Sequence, residues 1–257
     1  MKAEKLFEKL EESFPLSLAM SFDHPGLMAG RSGGDIETVY VAVDATGEVI
    51  EKAKKADADL ILTHHPMGLS GLRHVNDQDF IGRRVVDLIE NGMRHYAMHT
   101  NYDAVRMGRV AGERLNLQQM EILIPCEADP DAGIGVTGCR APMTLYAWGK
   151  LVKEGFDLPG VRIYGDRDRV IEKAGVIPGS GKGEADAALN RGCGVLITGD
   201  VGHHDGLDAV EKGLSVIDAG HYGLEKVFVP DMALWLKTHY PELKVVTDDS
   251  KSPFEIV

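Results

Sequence analysis

Residues 35–66 read DIETVYVAVDATGEVIEKAKKADADLILTHHP, and this stretch decides the fold. Its two ends, DIETVYVAVDAT and DADLILTHHP, each carry a short β-branched or aliphatic run that stops on polar residues, the pattern of a buried strand and its exit. GEVIEKAKKA between them is helix-forming sequence. Strand, helix and strand in succession predict a parallel pair joined by a crossover helix. Upstream, Leu6, Leu10 and Phe14 recur four apart among Lys and Glu, which predicts an amphipathic helix over 2–14. Downstream, helix-like FIGRRVVDLIENG and strand-like RHYAMHTNYD continue the alternation, so residues 36–103 are expected to form a parallel layer covered by helices.

ILIPCEADPDAGIGVTG, at 122–138, is rich in Gly, Pro and Asp, and a lobe boundary is expected there, dividing 1–125 from 126–257. LYAWGKLVKEGFDLPGVRIYG then reads as strand, helix and strand. Alternation resumes as AGVIPGSG, EADAALNRG, CGVLITGD, HHDGLDAVEKG and LSVIDAGHYGLE, a second α/β unit. DADLILTHHP is similar to CGVLITGDVGHH, and RHYAMHTNYD to LSVIDAGHYGLE, a weak internal duplication. The expected fold is therefore α/β, in two similar lobes.

Composition narrows the function. The 257 residues suffice for one large domain or two lobes, and 28 Lys plus Arg against 40 Asp plus Glu leave a net charge of −12. Such a chain repels phosphate backbones and anionic lipid, so neither nucleic acid nor a membrane is an expected partner. MKAEKLFEKLEESF lacks the apolar core of a secretory signal and no apolar run approaches a membrane span, so a cytoplasmic location is expected. Cys126, Cys139 and Cys193 are odd in number and widely spaced, and are expected to be buried free thiols.

Open α/β sheets place ligands beyond the carboxyl ends of their strands, and the His-rich segments sit at those ends. Each is ambiguous by itself. His64 and His65 end a strand, and neighbouring strand residues face opposite ways, so they suit two ions, or simply two hydrogen-bonded loop histidines. In HTNYD, His99 and Asp103 suit a cation, a turn or a cap. His221 and Glu225 lie four apart, chelating geometry on a helix and also ordinary surface-pair geometry. Their convergence is what argues for a site. His64, His65, Asp103, His221 and Glu225 exceed what one tetrahedral ion with an open position needs and suit two ions about 3.5–4 Å apart. The donors favour zinc, iron or manganese.

Several segments together resemble the Nif-three-like family, also described as GTP cyclohydrolase I type 2 homologues. DHPGL at 23–27, LTHHP at 62–66, HTNYD at 99–103, PGSG at 178–181, ITGD at 197–200 with His203 and His204, and AGHYGLE at 219–225 occur in the family's order. The resemblance implies a two-lobed α/β subunit without an inserted domain, a dinuclear metal site in the cleft between the lobes, and a toroidal homohexamer. It carries the metal ligands onto His64, His65, Asp103, His221 and Glu225. His24-Pro25, AVRMGRVAG and Gly223-Leu224 depart from the family's pattern without removing a ligand.

GSGKG at 179–183 departs from Walker spacing and is read as a tight turn before a phosphate cradle. His99 and His204 are the candidate proton-transfer residues, with His203 beside them, and no substrate-binding residue is singled out. Asp23 and Asp44 read as capping carboxylates, His74, His95 and His239 as surface or core histidines, and Tyr222 and Trp235 as packing residues. The expected function is a metal-dependent hydrolase of a small molecule, and the resemblance makes that substrate a nucleotide, GTP, converted to dihydroneopterin triphosphate and formate. The alternative is a non-catalytic metal-binding or regulatory hexameric assembly.

Overall fold

The computed structural model describes residues 1–68, 74–127, 129–249 and 252–255. In chain order the strands are β1 (Gly26–Ala29), β2 (Thr38–Ala42), β3 (Leu60–Thr63), β4 (Arg94–Ala97), β5 (Gln118–Pro125), β6 (Gly133–Thr144), β7 (Arg162–Tyr164), β8 (Val170–Ser180), β9 (Val195–Gly199), β10 (Ser215–Asp218) and β11 (Lys244–Thr247). They form two sheets, one in each of two units: Met1–Tyr102 with Phe228–Lys251, and Asp103–Val227 with Ser252–Val257.

The first unit's sheet has the order β1-β4-β3-β2-β11. β11, β2, β3 and β4 are parallel, and β1 closes one edge antiparallel to β4. β2, β3 and β4 are buried at every residue, as strands covered on both faces must be. The crossover helices start where the sequence supplies caps. The Thr46 hydroxyl accepts from the Val49 N–H at 3.2 Å to begin Gly47–Lys55, and the Asp79 carboxylate accepts from Ile81 and Gly82 to begin Phe80–Glu90. Val49, Ile50 and Ala53 from the first helix, with Val85 and Leu88 from the second, pack on Tyr40, Ala42 and Ile61.

The second unit's sheet has the order β5-β6-β8-β9-β10-β7, with β8, β9 and β10 parallel and the remaining pairs antiparallel. His203–Glu211 crosses from β9 to β10. Among the described residues no helix is long and apolar enough to cross a membrane.

Three expectations are corrected. The Gly- and Pro-rich stretch at 122–138 is no boundary: it joins β5 to β6 as an antiparallel hairpin within the second unit, and the division falls at Tyr102/Asp103 with the chain returning at Phe228. Turn composition marks a hairpin as readily as a linker. LYAW is helical from its first residue, because the Thr144 hydroxyl caps Leu145–Gly155 and Leu145, Trp148 and Val152 fall on one buried face. All three cysteines are free thiols, but only Cys193 is buried, and burial pushes its pKa up to about 11. Cys126 and Cys139 are half-buried.

One hydrogen-bonded chain links the core of the first sheet to its functional end. His95 is wholly buried on β4, and its Nε2 lies 2.7 Å from the Thr63 hydroxyl, which itself donates to the His65 carbonyl oxygen at 2.7 Å. Since Thr63 spends its proton on His65, His95 must donate from Nε2. Burial pushes the His95 pKa down to about 3. The unfolded chain therefore takes up this proton first, and the group's contribution to stability is lost as pH falls from the ordinary histidine value near 6.5 toward 3. Denaturant titrations across that range are expected to show wild-type stability falling more steeply with decreasing pH than that of a His95→Gln variant, by roughly 1 kcal/mol per pH unit. Parallel curves for the two proteins would contradict a buried neutral His95.

Candidate metal centre

In the first unit three imidazoles converge where β3 and β4 end. The strands run parallel with Thr63 beside Ala97, so the residues just past them, His64, His65 and His99, emerge together. One ligand nitrogen from each lies within 4.8 Å of the other two. The ring of His64 is 4.8 Å from that of His65 and 5.3 Å from that of His99, centroid to centroid. His64 is fully buried against Phe228, while His65 and His99 are partly exposed.

His64 and His65 are hydrogen-bonded through Nδ1, and His99 Nδ1 lies at ion-pair distance from a carboxylate. His64 Nδ1 lies 2.9 Å from the Met98 carbonyl oxygen, His65 Nδ1 2.8 Å from Asp44 Oδ1, and His99 Nδ1 2.9 Å from Asp23 Oδ2. A carbonyl or carboxylate oxygen only accepts, so Nδ1 carries the proton and, in the neutral ring, Nε2 carries the lone pair. Asp23 does more than cap. Its carboxylate also accepts from the backbone N–H and hydroxyl of Thr100, at 3.0 and 2.6 Å. Burial opposes its ionisation, but the hydrogen bonds from Thr100 and His99 outweigh burial and keep its pKa below the usual carboxylate range. Burial lowers the pKa of His99, and the Asp23 partner offsets only part of this.

The second unit has carboxylates and an imidazole of its own. Asp103 begins a π-helical turn, Asp103–Met107, that runs directly into the helix Gly108–Arg114. His221 opens the five-residue helix after β10, and Glu225, buried, closes it. His221 stands between two carboxylates: Nδ1 is 2.8 Å from Asp200 Oδ2 and Nε2 is 3.1 Å from Glu225 Oε2. With one ring nitrogen already donating, an Nε2 facing a carboxylate calls for a proton or a cation.

The loops here are fixed from below. Asp218 at the end of β10 accepts from the backbone N–H of Val201 at 3.1 Å and of Gly220 at 2.9 Å, and it pairs with Arg162. Two glycines make room for the donors. A Cβ on Gly199 would lie 2.4 Å from the backbone nitrogen of His221, and one on Gly179, at φ +75°, 2.3 Å from Glu225 Oε1. PGSG and ITGD thus lie against His221 and Glu225, and GSGKG is the end of β8 and the turn after it, where the Gly181 N–H donates to the Thr198 hydroxyl.

The remaining sequence candidates separate. His203 and His204 are exposed in the first turn of His203–Glu211 and enter none of the clusters of three donor atoms found among the described residues. His74 is exposed, His95 is core, and His239 bonds the Trp235 carbonyl and stacks on that ring at 4.4 Å. Sequence reading missed the partner role of Asp44, Asp23 and Asp200. A signal was present: Asp44 precedes His65 by 21 residues, and Asp200 precedes His221 by the same 21.

Comparisons with known proteins place the chain in a family. A family model described as Duf34/NIF3 (NGG1p interacting factor 3) matches residues 1–253. The chain is 32% identical over 262 residues to the GTP cyclohydrolase 1 type 2 homolog of Clostridium perfringens, with 100% of both proteins covered. It is 34% identical over 229 residues to the protein of the same name from Clostridium acetobutylicum, covering 88% of this chain and 85% of that one. Among solved structures, the Bacillus cereus protein related to NIF3 has the same fold, with a TM-score of 0.93 at 21% identity over 100% of this chain and 99% of that one. A family match of this extent, with relatives alike along the whole chain, makes this protein a member of the Duf34/NIF3 family.

Proposed function

We propose that His64, His65, Asp103, His221 and Glu225 together hold two divalent metal ions, zinc, iron or manganese, in a dinuclear centre, and that the protein is a metal-dependent hydrolase. The observation that carries this reading is the state of the imidazoles. His64, His65 and His221 are each pinned through Nδ1, which assigns the lone pair to Nε2, and the Nε2 of His221 already faces the Glu225 carboxylate. Imidazole and carboxylate without thiolate is the donor set of a borderline or moderately hard divalent cation. When bound, two such ions supply Lewis acidity and lower the pKa of water to about 7.

The name carried by the relatives suggests GTP as the substrate. In that reaction water adds at the guanine carbon between the two imidazole-ring nitrogens, both C–N bonds to it break, and it leaves as formate. The opened ring then closes on ribose carbons to give dihydroneopterin triphosphate, for a net uptake of one water. This reading assigns His99, partly exposed beside Asp23, to take and return protons, with His204, exposed on the helix after β9, as the second candidate. The resemblance further suggests a homohexamer, and the protein is read as cytoplasmic.

The two halves of the proposal are tested separately. Elemental analysis after dialysis is expected to find metal in the wild-type protein and substantially less in His64→Ala and Glu225→Ala, with circular dichroism unchanged. Equal stoichiometry in all three proteins would overturn the metal centre. Protein reloaded with iron, zinc or manganese is expected to release formate from GTP. Silence with each metal, beside an active control cyclohydrolase, would overturn the hydrolase reading in favour of a metal-binding assembly.

A further inference from the structure

The four pinned imidazoles have unequal partners. His64 is held by a backbone carbonyl that the fold places regardless of sequence, and the Asp23 partner of His99 is buried and engaged with Thr100. His65 and His221 are different. Their partners are side chains well open to solvent: Asp44 is 47% exposed and Asp200 58%. Ion pairs this exposed contribute little to stability, so folding does not explain them.

Their placement is also repeated. In each unit the carboxylate leaves one parallel strand and the imidazole leaves its neighbour: Asp44 follows β2 and His65 follows β3, while Asp200 follows β9 and His221 follows β10. In each the connecting nine-residue helix begins three residues after the carboxylate, at Gly47 and at His203. The imidazole arrives 21 residues after the carboxylate in both. Asp200 moreover sits at φ 56°, in the left-handed region where glycine would cost nothing. A side chain at such a position is there for what its oxygen atoms do.

We infer that Asp44 and Asp200 are positioning residues of the metal centre: each accepts the Nδ1–H of a ligating imidazole, His65 or His221, and thereby commits Nε2 to the metal with a fixed ring orientation. The inference rests on the metal-centre reading above and adds two residues to it. A carboxylate on the outer nitrogen also makes the inner one a more basic ligand, and losing such a partner typically costs about 10–100-fold in metal affinity.

The test has two arms. In metal-free, 15N-histidine-labelled full-length protein near pH 8, above the ordinary histidine range of about 6.5, Nδ1 of His65 and of His221 is expected to carry a proton. Asp44→Ala is expected to move that proton off His65 Nδ1 alone, and Asp200→Gly, which keeps the backbone conformation, off His221 Nδ1 alone. Asn at either position retains an accepting oxygen and restores the wild-type signal. In the second arm, zinc competition against a chromophoric chelator is expected to show Kd raised about 10–100-fold by Asp44→Ala and by Asp200→Gly, with most of the loss recovered by Asn. The thermal midpoint of the metal-free protein stays unchanged in each variant. Nδ1 signals that ignore the carboxylates, or zinc affinities unmoved by their removal, overturn the inference. Wild-type protein that takes up no zinc while its Nδ1 signals follow the carboxylates overturns the metal reading instead.

Discussion

A neutral imidazole offers a lone pair from one nitrogen only, and whatever accepts a hydrogen bond from the other decides which. In this protein that decision is made at the ends of parallel strands. His64, His65, His99 and His221 all direct Nδ1 to an oxygen within their own unit. This common constraint assigns the lone pair of each neutral ring to Nε2, and the chemistry proposed for the protein depends on it.

The fold serves the constraint through register. Because β2, β3 and β4 run parallel and end together, the polar residues after them share one edge of the layer, and β9 and β10 do the same in the second unit. Each edge is braced from the core. In the first unit His95 and Thr63 fix the backbone of His65, and in the second Asp218 holds the loops that carry Asp200 and His221. Gly179 and Gly199 leave the space that Glu225 and His221 occupy.

Much of this was legible in the sequence, and the reason is periodicity. The runs TVYVA and LILT, with helix-forming residues between them, specify a parallel pair without tertiary information, and donor residues at strand exits mark the functional edge. What escaped was decided across strands. Asp44 reads locally as a cap, and only the neighbouring strand brings it to His65. Asp23 likewise meets His99 and Thr100 across 76 and 77 residues of chain. The unit boundary was misplaced because Gly, Pro and Asp serve a hairpin between β5 and β6 as well as they would serve a linker.

X-ray absorption at the edge of the bound metal tests the central claim most directly. The account predicts a first shell of nitrogen and oxygen with imidazole multiple scattering, no sulfur, and a metal–metal vector near 3.5–4 Å. A spectrum with sulfur in the first shell, or without imidazole and without a second metal, would contradict it.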